Sequence, residues 1–145
     1  MISTAPFVHL HSHSSFSLLR SVLRVPELVR FAADHGMPAI ALTDRGNLFG
    51  AVEFHQAALE AGVKPIFGME VSVVRDRRAE DPAKRGPARS LVLLAADRVG
   101  WNHLMKISSL GWREGLHDGA PHVDDELLGS HAKGIIALSG GGDGV

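Results

Sequence analysis

This 145-residue chain contains no cysteine. That excludes disulfides and thiolate metal sites, and it fits a reducing compartment. A charge bias is also missing: 15 Lys and Arg stand against 16 Asp and Glu, for a formal net charge of -1. The chain as a whole is therefore not drawn to nucleic acid or to a membrane surface. No apolar run approaches the roughly 20 residues needed to cross a bilayer. Met1 to Phe7 lacks the basic stretch and apolar run of a secretory signal, so the expected location is cytoplasmic, with no membrane partner. Hydrophobic content of 45% and charged content of 21% are ordinary for a globular protein, and the length suffices for one domain with a real core.

The most informative residues are His11 and His13, in Val8-His9-Leu10-His11-Ser12-His13-Ser14. Side chains two apart on an extended segment share a face. Two adjacent imidazoles make half of a metal site, because neutral imidazole is a common ligand for transition metals. His9 falls on the same face and is read as structural.

Strand and helix signals alternate along the chain. A first strand is expected at about Phe7–His11, followed by a polar loop with Ser12, Ser14, Ser15 and Ser17. Pro26 opens a first helix, with Val25, Leu28, Val29, Ala32 and Ala33 forming one apolar stripe and Gly36 ending it. His35 sits at its C-terminus, where a cation suits the helix dipole. Ala39–Thr43 is a short apolar run typical of a strand buried on both faces. Asn47 is read as the cap of a second helix that stops at Gly62. Further strands are expected at Pro65–Val71, Leu91–Ala95 and Gly134–Ser139, with helices at about Asp97–Ser109 and Asp124–Leu128. This alternation predicts α/β architecture with a largely parallel sheet. His11, His13, Asp44 and Glu70 then fall at the C-terminal ends of strands, on one rim, where active sites of such folds sit. Asp44 is read as rim support, bonding loop amides.

Residues 75–89 form a basic stretch with Arg75, Arg77, Arg78, Lys84, Arg85 and Arg89, read as a solvated surface loop. Trp101 and Trp112 are read as packing residues. The glycine run at Gly140–Gly144 lacks the Lys-Ser/Thr of a phosphate-cradling loop. The last residues follow a strand directly, where another helix is expected, so the chain is read as a piece truncated at its C-terminus.

The segments His11-Ser12-His13-Ser14, Ala41-Leu42-Thr43-Asp44, Gly46-Asn47-Leu48-Phe49-Gly50 and Lys64-Pro65-Ile66-Phe67-Gly68-Met69-Glu70 resemble, in order, the N-terminal PHP (polymerase and histidinol phosphatase) domain of bacterial DNA polymerase III alpha subunits. Leu91–Ala95, Trp101–Lys106 and Ile135–Gly140 continue the resemblance, so residues 1–145 are read as one PHP domain. The resemblance implies a distorted (β/α) barrel of about seven strands, of which about the first five are present. It also implies a rim where His, Asp and Glu hold metal ions that hydrolyse phosphoesters, including 3′–5′ exonuclease activity in some polymerases.

By the same resemblance, His11, His13 and Glu70 match metal-ligand positions, while four others are substituted: Arg20 for an Asp, Arg45 for a His, Ser90 for a His and Gly141 for a Cys. Arginine stays protonated and offers no lone pair. At about 4 Å and an effective dielectric near 20, one guanidinium opposes a divalent ion by about 8 kcal/mol before screening. The expected site is weak or vestigial, with zinc or manganese as the residual metals. Arg20 and Arg45 are expected to pair with Asp44 or Glu70 in the metal's stead.

Three functions follow from these residues. The first is the PHP part of a replicative polymerase, acting as a scaffold, whose parent reaction is DNA-templated deoxynucleotidyl transfer. Its partners would be the rest of the polymerase chain, a proofreading exonuclease subunit, and DNA through the holoenzyme. The second is a metal-dependent phosphoesterase or 3′–5′ exonuclease using His11, His13 and Glu70. The third is a non-catalytic interaction module.

Overall fold

The computed structural model describes residues 7–140 and Gly144. The elements run α1 (Val25–Asp34), β1 (Ala39–Leu42), α2 (Ala51–Ala61), β2 (Lys64–Val73), α3 (Pro82–Arg85), β3 (Arg89–Ala95), α4 (Arg98–Glu114), β4 (Leu116–His117), β5 (Ala120–Val123), α5 (Asp125–Ser130) and β6 (Ile135–Ser139).

β2 is the spine of the sheet. On one side it pairs in parallel with β1, Ala39 opposite Lys64, and farther along with β5, Val73 opposite Val123. On the other side it pairs antiparallel with β3, which pairs antiparallel with β6. The sheet is therefore mixed rather than largely parallel. The parallel reading fails at β3: residues 74–88 between β2 and β3 contain only one turn of helix, α3, in place of the crossover helix that usually precedes a parallel strand.

Alternation along β2 divides its residues between two layers. Met69, Val71 and Val73 pack with Leu93, Leu104, Ile107, Val123 and Leu127 under α4 and α5. Gly68, Glu70 and Ser72 face the opposite side, above a small apolar floor of Ala41, Val92 and Leu94. A second core joins α1, α2 and β1 through Val25, Leu28, Val29, Ile40, Leu42 and Phe54. Gly68 has no room for a side chain: a Cβ there would lie 2.6 Å from the Leu93 carbonyl oxygen.

Most expected elements are present, with three corrections. Residues 7–11 are not a strand. The Ala41 amide donates to the His9 carbonyl and the Thr43 amide to the Ser12 carbonyl, both at 2.9 Å, so a step of two residues from β1 into the loop after it spans three of the N-terminal segment. That extra residue breaks the ladder as a bulge does. Asn47 does not cap α2, whose cap is Gly50. Its side-chain amide instead donates to the Phe16 and Arg45 carbonyls at 3.1 Å and ties the two rim loops together. The hairpin β4–β5 is an unexpected element. It turns at Asp118 and Gly119, both at positive φ, the geometry that Asp-Gly favours in two-residue hairpin loops.

The stretch 75–89 is not uniformly solvated. Arg77 is 2% exposed and Arg85 8% exposed. Arg77 reaches Asp124, and its Nη2 donates to Glu114 at 2.9 Å. Arg85 donates to Asp118 at 3.1 Å. Acidic partners arriving from α4, the β4–β5 turn and the start of α5 turn these two arginines inward.

Candidate functional site

Glu70 is the centre of the polar rim. The loop after β1 continues alongside β2: the Glu70 amide donates to the Asp44 carbonyl at 3.0 Å, and the Gly46 amide donates to the Glu70 carbonyl at 2.7 Å. This clamp fixes the Glu70 backbone, and strand alternation points its side chain away from α4. His11 and His13 come from the bulged N-terminal segment, their rings 5.0 Å apart and nearly perpendicular. The Nε2 atoms of both lie 2.8 Å from the same Glu70 oxygen, Oε2.

These contacts favour the ionised form of Glu70. The hydrogen bond from His13 is the largest cause holding the Glu70 carboxyl at about 2 rather than 4.5; burial pushes the other way, and Ser90 and His11 add to the lowering. An ionised carboxylate only accepts, so both imidazoles donate through Nε2–H. His9 leaves the cluster, because the bulge changes its register. It packs edge-on against Phe7 with ring centres 4.7 Å apart.

Asp44 sits behind the cluster and is 2% exposed. It accepts from the Ser14 amide at 2.7 Å, the Ser14 hydroxyl at 2.7 Å and the Ser17 hydroxyl at 2.6 Å. Its oxygens are committed to shaping the loop that carries His13. This serine cradle was not visible in the sequence as a site feature; the clustering of Ser12, Ser14, Ser15 and Ser17 before a buried Asp is the signal for it.

Three of the four substituted positions face the same cleft. Arg20, Arg45, Ser90, His11 and Glu70 line it together with Ser72 and Arg89, in a volume of about 660 Å³. Gly141 lies outside the described residues. Among the described residues, Arg20 and Arg45 form no ion pair with Asp44 or Glu70, contrary to expectation. Arg45 Nη2 instead reaches the Ser72 hydroxyl at 3.5 Å. The reason is competition: each carboxylate is already occupied, Asp44 by serines and Glu70 by imidazoles. Ser72 and Arg89 were missed as lining residues. Period-two alternation places Ser72 with Glu70, and Arg89 is the register partner of Val73 at the same end of β2.

One ligand atom from each of His11, His13 and Glu70 lies within 4.8 Å of the others, close enough to meet at a single ion. Binding would require both Nε2 protons to leave, since metal takes the lone pair of neutral imidazole. Arg20, Arg45 and Arg89 line the same cleft as His11 and Glu70.

Residues 9–145 match the PHP domain. The chain belongs to the PHP domain family. This PHP domain is 42% identical over 147 residues to DNA polymerase III subunit alpha of Thermus aquaticus, a match covering 97% of this chain and 12% of that protein. It is 39% identical over 140 residues to the Aquifex aeolicus subunit, covering 92% of this chain and 12% of that one. The chain thus spans about an eighth of the length of these relatives. A solved structure from Bifidobacterium adolescentis, described as a metal-dependent phosphoesterase, shares the fold with a TM-score of 0.51 and 20% identity, over 76% of this chain and 36% of that one. The mixed sheet and this likeness agree with a partial, distorted PHP-type barrel. Among the described residues, no helix is long and apolar enough to cross a membrane.

Proposed function

We propose that this PHP domain works as a structural part of a DNA polymerase III alpha subunit, with a rim that has little or no capacity for divalent metal. The observation that carries the reading is the lining of the cleft, where Arg20 and Arg45 stand beside His11 and Glu70, the only acidic group lining it among the described residues. Arg20 and Arg45 support the same reading, because guanidinium repels a divalent ion and cannot ligate it. In this reading the parent reaction, deoxynucleotidyl transfer, belongs to other parts of the polymerase. The domain's partners are the rest of that chain and, through it, DNA and a proofreading exonuclease subunit in the cytoplasm.

A chimera tests the structural role. This chain is to replace the matching segment of the Thermus aquaticus subunit, and primer extension is to be measured. Retained extension is the expected result; a folded chimera without extension contradicts the reading. The convergence of His11, His13 and Glu70 favours a second reading, a metal-dependent phosphoesterase. It requires manganese- or zinc-dependent phosphodiester hydrolysis that disappears in His13→Ala.

A further inference from the structure

Away from the rim, two more histidines meet. His103 on α4 and His131, the C-cap of α5, stack edge to face with ring centres 5.4 Å apart and planes at 90°. We propose that they form a second, weak site for a borderline divalent transition metal, bound through the Nε2 atoms of both imidazoles. The site is independent of the reading of the rim, because α4 packs on the sheet face from which Glu70 turns away.

The other ring nitrogens set the state of the pair. His103 Nδ1 lies 2.8 Å from the Lys133 carbonyl, and His131 Nδ1 lies 3.0 Å from the Leu127 carbonyl. A carbonyl only accepts, so each Nδ1 carries the proton and each Nε2 keeps its lone pair. The Ser130 hydroxyl, also 3.0 Å from His131 Nδ1, has its own acceptors in the Glu126 and Leu127 carbonyls. Among the described residues, neither Nε2 has a hydrogen-bond partner. Metal-binding imidazoles are oriented in this way, with the second nitrogen donating to a carbonyl. The rim pair is the contrast: His11 and His13 commit Nε2–H to Glu70, whereas His103 and His131 need lose no proton. At metal–nitrogen distances of about 2.0–2.1 Å, two imidazoles on one tetrahedral ion have ring centres about 5 Å apart, so the pair needs little rearrangement. The backbone holds it in place. The Ala96 amide donates to the Gly134 carbonyl at 2.9 Å, and that carbonyl leaves no room for a Cβ on Gly100, so the segment carrying Lys133 is pressed to the start of α4. Both rings are partly exposed and open to an ion; Lys106 and Lys133 are fully exposed, and solvent screens their charge. Two protein nitrogens leave the other coordination positions to water, so the ion is labile and is released on gel filtration. Imidazole ligands and the Irving–Williams order make copper(II) the tightest binder.

The test is calorimetric titration of the chelator-stripped chain with copper(II), in a His11→Ala/His13→Ala background that removes the rim imidazoles. Saturable binding of one ion per chain is expected, with an electron paramagnetic resonance signal showing two nitrogen ligands. His103→Asn and His131→Asn keep a side-chain N–H for the Lys133 and Leu127 carbonyls but lack Nε2, and each should weaken binding about tenfold or more. His55→Asn, on α2, should leave binding unchanged. Circular dichroism checks the fold of each variant. A second measurement needs no variant: nitrogen-15 imidazole shifts of the metal-free chain should show Nδ1–H on both rings. No saturable binding, binding unchanged in His103→Asn/His131→Asn, or an Nε2–H tautomer at either ring overturns the proposal and leaves the reading of the rim untouched.

Discussion

Two clusters of arginine and carboxylate sit at the C-terminal end of β2, and they are built on opposite plans. On the α4–α5 side, Arg77 is almost fully buried and its charge is closed off: it pairs with Asp124 and Glu114, while the Asp124 carboxylate also accepts from the Arg77 and Leu127 amides at 3.0 Å. On the cleft side, Arg20, Arg45 and Arg89 surround a carboxylate that has taken histidines as its partners instead. The first cluster uses arginine to join α4, α5 and the chain after β2. The second leaves its arginines without a carboxylate partner among the described residues. The difference lies in which donor holds the carboxylate: guanidinium at Asp124, imidazole at Glu70.

The comparison breaks most readily at Asp124. Replacing it by Ala strips a buried cation of its partner and removes the α5 cap together, so a loss of about 3–5 kcal/mol in urea unfolding is expected. The same residue gives the closed cluster a pH signature. Burial alone would raise the Asp124 pKa, but the Arg77 and Leu127 amides and the Arg77 guanidinium outweigh it and hold the carboxyl below its usual 3.8. Its stabilising contribution is therefore complete above 3.8 and fades as pH falls below that value.

Asp44→Ala comes next. It deprives the buried Ser14 and Ser17 groups of their acceptor, with an expected cost of about 3 kcal/mol by the same measurement. Glu70→Gln sharpens the contrast on the cleft side. The Glu70 carboxyl titrates at about 2 when folded against 4.5 ordinarily, so its contribution is present above pH 4.5 and lost as pH falls toward 2. Allowing for partly exposed imidazole partners, the wild type should lose about 2 kcal/mol more than Glu70→Gln across that window, read from acid-titrated thermal melts. The smallest effect belongs to Arg20→Ala: an exposed arginine with no ion pair among the described residues should change stability by less than about 0.5 kcal/mol. A large loss there would mean that this guanidinium is part of the closed architecture after all.

Much of this arrangement is legible in the sequence, for reasons that differ by element. α1 is readable because its stripe of Val25, Leu28, Val29 and Ala32 is also its buried face. β1 and β3 are readable as short apolar runs and β2 as a partly alternating one, yet their direction is not, because residue type in a buried strand says nothing about how its neighbour runs. The bulge before β1 hides in the sequence for a related reason: a single extra residue leaves the His-x-His spacing intact while moving His9 to Phe7. Arg77 shows the limit of reading a charged stretch locally, since its partners lie at positions 114 and 124. The Asp118-Gly119 turn was a local signal open to use. At the cleft, the positions of His11, His13 and Glu70 follow from strand ends, whereas the pairing of both imidazoles with one oxygen emerges only from the folded register.

The most direct measurement is zinc and manganese titration of the purified, chelator-stripped chain, followed by elemental analysis after gel filtration. Metal retained at well below one ion per chain is the result predicted for a rim in which Arg20, Arg45 and Arg89 line the cleft around Glu70. Stoichiometric, tightly held zinc or manganese that disappears in Glu70→Gln and His13→Ala would contradict it.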